Sequence, residues 1–568
     1  MKSIIKITTI SVLAVLACVG CTDAFEEVNW PYGGVTEEEL DRDNVRQGSM
    51  IPAMELLIVP MDDNAHFQHC ESLVGDVAGR MLMSNAGGAP GQKWTGDFSR
   101  FSYDHTGWYD NPFNYTMGFY TSYINSLKFV QTGVTEDGSG NTVFEYDKSN
   151  AIYAIIRILR VAVMHRLADM YGPIPFSQIK PEDLNLYIPY DDDNTVYINE
   201  DVAHQGLLPM LSEAIADLKN CLLTNREGMM NIANFDRIYE GDYIQWVKYA
   251  NSLMLRLAMR ISNREPALAR RYAEEAIKPF EVQSGNQTET IACGVIDNNT
   301  DNAVMHMQIG HMSKITSKLY SIAYGYIDTF AAADMVCYLQ GYNDPRIEKY
   351  FNTVEIENAD GSKTSIYNGL RAGTTIGQSD IQTKFSKPKV DVYDDYPLLT
   401  AAEVAFLRAE GMLKGWEMGG SAESFYNEGV RLSFEQWGAS GYATYIEGET
   451  APAKYEDVVT NNREDADAPS DITVKWANDG KELQRIITQK YLALYPLGHE
   501  AWCDYRRTGY PDILPVYQNT ISTTLKVISR LPLPHTEETQ NADNFLEAQS
   551  MLSGPDDMKT KIWWAKQD

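Results

Sequence analysis

The sequence lacks the short motifs that mark common catalytic centres. It contains no His-Glu-x-x-His zinc motif, no Gly-x-Ser-x-Gly nucleophile elbow, no P-loop and no Gly-x-Gly-x-x-Gly dinucleotide fingerprint. With 78 acidic residues, carboxylate pairs arise by chance, so they do not indicate glycosidase chemistry. The sequence therefore favours a binding protein over an enzyme, and it predicts no cofactor.

Basic residues and long apolar segments are also scarce. Only 48 lysines and arginines oppose the 78 acids, which gives a formal net charge of −30 and a pI near 4.7. Such a polyanion repels nucleic acid, because binding there depends on neutralising phosphates. Beyond the N-terminus no apolar run reaches the length of a membrane-spanning helix. The 568 residues are too many for one core, and two or three packed subdomains are expected.

The N-terminus carries the pattern of a secretory signal. Two lysines precede an apolar stretch over residues 7–17, and the segment closes on Cys18 and Cys21. It resembles a bacterial lipoprotein signal, residues 1–20, with Cys21 as the lipidated first mature residue and Cys18 as the competing site. The acidic run after it, residues 22–27, looks like the start that sends Bacteroidetes lipoproteins to the cell surface. Several acyl chains, at roughly 0.8 kcal/mol per buried methylene, make such anchoring effectively permanent.

The stretch from Gly241 to Ile261 is the clearest element of the mature chain. Asp242 is placed to cap its first turn with a carboxylate. Apolar residues recur at steps of three and four and cover most of the circumference of the predicted helix. This pattern predicts a helix buried among other helices. Its polar residues lack the arrangement of a reaction centre and indicate a scaffold: Lys248, Asn251, Ser252, Arg256 and Arg260.

The same periodicity predicts further helices and a mostly α-helical fold. Helices are expected over residues 149–167, 207–222, 268–277, 483–495 and 500–507. Thr400 to Trp437 reads as a helix–turn–helix, opened by a capping box at Thr400 and Glu403 and similar in size to a tetratricopeptide unit without its consensus. Residues 280–303 read as loop, and residues 353–392 as irregular with short strands. Soft internal boundaries are expected near residues 280 and 400 of the mature region, 21–568.

Aromatic residues form two groups that suggest a binding surface. In the first, Trp94, Trp108 and Tyr109 lie in loop-like sequence together with the polar candidates Arg100 and Asp104. In the second, over residues 320–351, the candidates are Tyr324 and Tyr326. Large aromatics on loops indicate binding better than a core stripe does, although buried packing is the alternative reading for each of them.

Metal and disulfide signals are weak. Asp297, Asn299 and Asp301 have the spacing of a calcium loop, but Asn302 replaces its glycine and Gln308 its glutamate. No metal is therefore predicted. Five cysteines beyond Cys21 are odd in number and scattered, which favours buried small hydrophobes over a disulfide framework: Cys70, Cys221, Cys293, Cys337 and Cys503.

Several stretches in a fixed order carry a resemblance to a known family. The chain resembles the SusD/RagB family of nutrient-binding outer-membrane lipoproteins, in particular its SusD-like second branch. The matching stretches are Tyr171–Pro175, Tyr239–Asp242 with Trp246, Ala250–Ile261, Asp344–Arg346, Tyr367–Gly369, Glu403–Gly411, Tyr426–Gly429, Gln489–Ala493, Glu500–Trp502, Tyr505–Gly509 and Arg530–Pro534. One departure is Pro173, where the family commonly has an acidic residue.

The resemblance implies a mostly helical fold with tetratricopeptide-like helix pairs and an irregular, loop-rich subdomain. It also implies a partner, a SusC-like TonB-dependent transporter that the lipoprotein caps as a hinged lid. The leading hypothesis is a surface lipoprotein that captures an oligosaccharide and delivers it to that transporter without catalysis. The alternatives are an oligopeptide binder, a lid with little ligand affinity of its own, and a surface glycan hydrolase.

Overall fold

The computed structural model describes most of the mature chain. The described residues are 44–84, 110–136, 142–179, 187–201, 205–310, 312–374, 376, 378–459, 464–517 and 526–567. Residues 49–568 form one compact unit, and the unit of residues 1–48 is described only by its short helix Val45–Gly48. The predicted signal and Cys21 lie outside the described residues. The soft boundaries near residues 280 and 400 stay a prediction.

The compact unit is mostly helical, as the sequence predicts. Its α-helices are Ile51–Glu55, Asn64–Phe67, Asp76–Ala78, Asn111–Met117, Phe119–Val130, Ala151–Tyr171, Asp193–Ile198, Leu207–Thr224, Tyr243–Ile261, Pro266–Ala276, Lys318–Tyr320, Ala333–Gly341, Ile347–Tyr350, Gln378–Lys384, Ala401–Leu413, Ala422–Gln436, Tyr442–Tyr445, Glu482–Ala493, Gly498–Thr508, His535–Gln540 and Ala542–Met551. Within the described residues, two π-helices, Gln68–Gly75 and Ser321–Tyr326, and two 3-10 turns, Arg226–Gly228 and Asn299–Asp301, complete the helical part.

Short antiparallel strand pairs cover the rest of the described regular structure. The pairs are Leu82–Met83 with Phe330–Ala331, Gln131–Glu136 with Thr142–Tyr146, Phe280–Ser284 with Gln287–Ile291, Ala303–Met305 with Tyr396–Leu399, and Val354–Glu357 with Lys363–Ile366. In the first pair Met83 lies opposite Phe330, which joins two segments far apart in the chain. These small sheets fix loops on a helical scaffold and do not form a core of their own.

The helix Tyr243–Ile261, the central helix, confirms the sequence prediction. The Asp242 carboxylate accepts hydrogen bonds from the backbone N–H groups of Ile244 and Gln245, at 2.9 and 3.2 Å. Trp246 is fully buried, and the helix packs against Leu207–Thr224, Pro266–Ala276 and Ala401–Leu413.

The polar residues of the central helix bind neighbouring helices. Arg256 donates to both carboxylate oxygens of Glu403, at 2.8 and 2.6 Å. Arg260 donates to Glu500 at 2.7 Å and lies 3.1 Å from Asp169. Because all of these groups are buried and paired, they hold helices together, which is the scaffold role that the sequence indicates.

Two predicted helix starts differ in detail from the structure. The helix expected from Ser149 begins at Ala151, because the Asn150 side chain accepts from Ile152 N at 3.0 Å and acts as the cap. Thr400 caps Glu403 N at 3.3 Å as expected, but the Glu403 carboxylate binds Arg256 instead of closing the box. Half of that capping box is therefore used for a tertiary contact.

The loop predicted over residues 280–303 is wrong for residues 280–291 and confirmed for residues 292–298. Residues 280–291 form a hairpin, in which Phe280 and Val282 are buried and the hairpin packs against Leu207–Thr224. The second strand of the hairpin is polar and exposed, so its sequence carries no apolar alternation to reveal it. The helices Ala401–Leu413 and Ala422–Gln436 pack together as predicted, and their tetratricopeptide-like character stays a prediction.

Candidate ligand-binding site

The structure describes the second aromatic group and not the first. Trp94, Arg100, Asp104, Trp108 and Tyr109 lie outside the described residues, so their role stays a prediction. Tyr324 and Tyr326 are both described and lie on the π-helix Ser321–Tyr326. The candidate site is therefore built from this π-helix outward.

A cap and a left-handed residue bound the tyrosine segment. The Ser317 hydroxyl accepts from Tyr320 N at 3.4 Å and opens the short helix Lys318–Tyr320, which continues into the π-helix. Ile327 ends it at a φ of 56°, in the left-handed region that a β-branched side chain rarely adopts. π-helical turns are uncommon and recur at functional sites, so this segment is structurally distinctive.

Tyr324 is half-buried and held in place. Its hydroxyl donates to Pro388 O at 2.7 Å and accepts from the Asn352 side-chain amide at 2.8 Å. The Tyr320 ring lies 5.1 Å from its ring centroid, and the Lys387 ammonium lies 5.5 Å from it. Burial raises the pKa of Tyr324, so its hydroxyl stays neutral at physiological pH.

Tyr326 presents its ring to solvent. Its side chain is 50% exposed, and the neighbouring Gly325 has open space where a Cβ would lie. Phe330, Tyr338 and Tyr342 of the second group are buried core residues, and Tyr320 is half-buried. The difference in burial therefore distinguishes the exposed Tyr326 from neighbouring aromatics that the sequence pattern does not distinguish.

Asp328 connects the tyrosine segment to two other parts of the chain. Its carboxylate accepts from the Gln68 side-chain amide at 2.6 Å and from the Ser84 hydroxyl at 2.9 Å. Gln68 belongs to the other π-helix, and Ser84 directly precedes the segment that carries Trp94. Burial raises the pKa of Asp328 to about 6, since its partners are neutral donors.

Two segments, residues 314–326 and 387–393, lie side by side and together form the tyrosine strip. Two hydrogen bonds join them, from Ser317 N to Val392 O at 2.9 Å and from the Tyr324 hydroxyl to Pro388 O at 2.7 Å. Tyr393, 41% exposed, lies at the end of the strip opposite Tyr324, with the Lys314 ammonium 5.4 Å from its ring. Tyr393 is not among the binding residues predicted from the sequence, although its neighbours Asp391 and Asp394 mark it as an aromatic on a polar loop.

Asp301, one of the three residues with the spacing of a calcium loop, binds two side chains of the central helix. Asp301 accepts from the Gln245 amide at 2.8 Å and from the Lys248 ammonium at 2.7 Å. A lysine bound to that carboxylate competes with any cation, and so this arrangement favours a structural role.

Among the described residues, one buried group of three side chains consists of types that bind metal ions. Asp169, His499 and Cys503 place one ligand atom each within 4.8 Å of one another. Arg260 lies 3.1 Å from Asp169, however, and Arg506 donates to the Cys503 sulfur at 3.1 Å. Because two guanidinium groups already occupy these ligands, a cation would have to displace them.

Comparison with known families and structures defines the class of this protein. The family model described as "Susd and RagB outer membrane lipoprotein" matches residues 27–565. Comparison with curated proteins gave no significant match.

Solved structures of the same kind cover nearly the whole chain. A SusD homologue from Bacteroides thetaiotaomicron is 31% identical over 92% of this chain and 99% of its own, with a TM-score of 0.76. A SusD homologue from Bacteroides uniformis is 34% identical over the same shares, with a TM-score of 0.75. A chitin-binding SusD homologue from Flavobacterium johnsoniae is 29% identical over 92% of this chain and 99% of its own, with a TM-score of 0.76.

Fold and matches together define a helical lipoprotein of the nutrient-binding class. The chain belongs to the SusD/RagB family of outer-membrane lipoproteins, as the ordered motifs predict. Among the residues that the structure describes, no helix is both long and apolar enough to cross a membrane.

Proposed function

We propose that this protein is a cell-surface lipoprotein that binds an oligosaccharide and passes it unchanged to a SusC-like TonB-dependent transporter. The observation that carries the proposal is the half-exposed Tyr326 ring on a short π-helix that the hydrogen bonds of Tyr324 fix to the neighbouring segment. A single chain shows neither its location nor its partner. The proposed location and partner are supported instead by membership of a family of outer-membrane lipoproteins.

The chemistry of a sugar ring fits this surface. Pyranose rings have apolar C–H faces that stack on tyrosine and tryptophan, while amides, hydroxyls and charged groups bind the sugar hydroxyls. Tyr324 is held by two hydrogen bonds, so little side-chain freedom is lost when a ligand covers it. The chitin-binding homologue from Flavobacterium johnsoniae supports a glycan ligand for this chain as well.

Replacing Tyr326 with alanine tests the stacking surface. Loss of one exposed ring is expected to weaken oligosaccharide binding roughly 2- to 12-fold, the range that an aromatic contact contributes. Calorimetry with a panel of neutral and acidic oligosaccharides measures the change, with circular dichroism to check the fold.

Tyr187→Ala is the matched control, because Tyr187 is 49% exposed and lies outside the tyrosine strip. Equal affinities for wild type and Tyr326→Ala would contradict the stacking role. Binding of oligopeptides but of no oligosaccharide would favour the peptide alternative. Release of shortened products from a bound polysaccharide would revive the hydrolase.

A further inference from the structure

Four lysines lie on or beside the tyrosine strip of this acidic protein. Lys314 and Lys318 belong to its first segment, and Lys387 and Lys389 belong to its second. Lys314 lies over the Tyr393 ring and Lys387 over the Tyr324 ring, at 5.4 and 5.5 Å. Two of the four lysines therefore lie over a tyrosine ring of the strip.

These lysines are free of ion pairs within the part of the chain that the structure describes. Exposed lysines elsewhere, such as Lys278 and Lys481, have a carboxylate 2.6 and 3.0 Å away. Of the four strip lysines, none has a described carboxylate within 4.0 Å, and the Lys389 ammonium donates instead to the Glu348 carbonyl at 3.0 Å. Their charge is available to a ligand.

Lys387 and Lys389 are placed to act together. They flank Pro388, which bridges to Phe351 as in an antiparallel strand, so their side chains leave the same side of the extended chain. Burial lowers the pKa of Lys387. A partly desolvated ammonium gains more from an adjacent anion than a fully hydrated one does.

We propose that the tyrosine strip binds an oligosaccharide that carries carboxylate or sulfate groups. The sugar faces stack on the exposed rings of Tyr326 and Tyr393, and the acidic groups meet Lys387 and Lys389. This inference rests on the proposed function and names its ligand class. Pro388 and Tyr393 are five residue steps apart and therefore at most roughly 17 Å from each other, which sets an upper limit on the length of ligand that this segment contacts.

The large negative charge of the protein does not oppose this ligand at close range. At physiological ionic strength charges more than about 8 Å away are largely screened, so the nearest groups decide. Among the described residues, the acids near the strip include Asp394 beside Tyr393, Asp395, which pairs with His306 at 2.7 Å, Asp391, which acts electrostatically on Tyr324, Asp63, which acts on Lys318, and Glu348, whose carbonyl accepts from Lys389. None of these described carboxylates lies within 4.0 Å of the Lys387 or Lys389 ammonium, so the acidic groups of the ligand are directed to these two lysines.

The experiment compares glycans that differ only in charge. Oligogalacturonate and its methyl ester, and sulfated and desulfated chondroitin oligosaccharides, are titrated into the full mature chain by calorimetry. We expect the charged member of at least one pair to bind at least tenfold more tightly, and 0.5 M salt to remove most of the difference.

Variants locate the effect. Lys387→Gln combined with Lys389→Gln is expected to lose the preference for the charged member, by roughly tenfold for each lysine. Lys128→Gln, an exposed lysine that donates to Asn125, is the control and is expected to retain it. Thermal unfolding checks that each variant folds.

The outcomes separate this inference from the proposed function. Tyr326-dependent binding of neutral glycans alone would overturn the acidic ligand and leave the proposed function intact. An unchanged preference in the double variant would also overturn it. Binding of polyglutamate in place of glycans, or of no glycan in either class, would remove both.

Discussion

Asp328 shows how one side chain can control the candidate site. It follows the tyrosine segment directly, and its two hydrogen-bond donors, Gln68 and Ser84, belong to separate parts of the fold. Both donors are neutral, so neither of them compensates the loss of water around the carboxylate with a charge. Burial therefore raises its pKa to about 6, from an ordinary value of 3.8.

The pH dependence of the tyrosine segment follows from this shift. Between pH 4 and 6 the folded state keeps a proton that the unfolded chain has released, so stability is greatest at low pH and falls as pH rises through 6. From pH 5 to pH 7 the free energy of local opening at residues 321–328 is expected to fall by about 1 kcal/mol. Hydrogen exchange, corrected for the intrinsic pH effect, measures it.

Asp328→Asn is the control for this titration. Asparagine has the same shape and no charge to lose, so the opening free energy of the variant is expected to stay level between pH 5 and pH 7. The same slope in both proteins would show that another group is responsible.

At the scale of elements, the central helix acts through its buried arginines. Arg256 is 5% exposed and joins this helix to Glu403 of the helix Ala401–Leu413, with Glu500 of Gly498–Thr508 3.5 Å away. A buried ion pair adds little net stability when intact, because desolvation cancels much of the attraction. Removing one partner is different, since it leaves the other charge buried without compensation.

Arg256→Met is therefore expected to destabilise the protein by about 3–5 kcal/mol. Lys490, 3.9 Å from Glu403, and Arg260, bonded to Glu500, compensate part of the loss and favour the lower end of that range. Urea unfolding followed by circular dichroism measures the change.

The matched control is Arg270→Met on the neighbouring helix Pro266–Ala276. Arg270 also pairs with a glutamate, Glu274, at 2.6 Å, but its side chain is 47% exposed. An exposed pair contributes only about 0.2–1 kcal/mol, so a small effect is expected. Similar losses in the two variants would contradict the distinction between buried and exposed pairs.

At the scale of the whole molecule, the proposed function depends on attachment to the outer membrane. Cys21→Ala is expected to lose incorporation of labelled palmitate and to leave the membrane fraction, while Cys18→Ala keeps both, because only the mature N-terminal cysteine is acylated. Wild-type protein extracted from outer membranes is expected to bring down a large β-barrel protein.

The reverse result, loss of label in Cys18→Ala alone, would move the lipidation site. Full labelling without a β-barrel companion would leave the anchor in place and remove the transporter as a partner. The described cysteines do not interfere with the assay, because all five are free and four of them are buried.

Much of the helical frame could be predicted because its signals are local. Asp242 caps the central helix through bonds to the next turn, and the periodicity of residues 207–224 and 266–276 follows from their own sequence. The hairpin at residues 280–291 could not be predicted, because Phe280 and Val282 become a buried pair only when packed on another helix. Tyr393 was missed for a different reason, because Asp391 and Asp394 beside it do indicate a polar loop.

The sequence by itself determined the helical class and the family, since caps, periodicity and ordered motifs are properties of neighbouring residues. Only the tertiary structure decided that Tyr326 is exposed while Tyr338 is buried, and that Lys387 lies over Tyr324. Those features depend on contacts between distant segments, such as Gln68 with Asp328, 260 residues apart. Burial and charge pairing depend on contacts between distant segments, and a local sequence pattern does not specify those contacts.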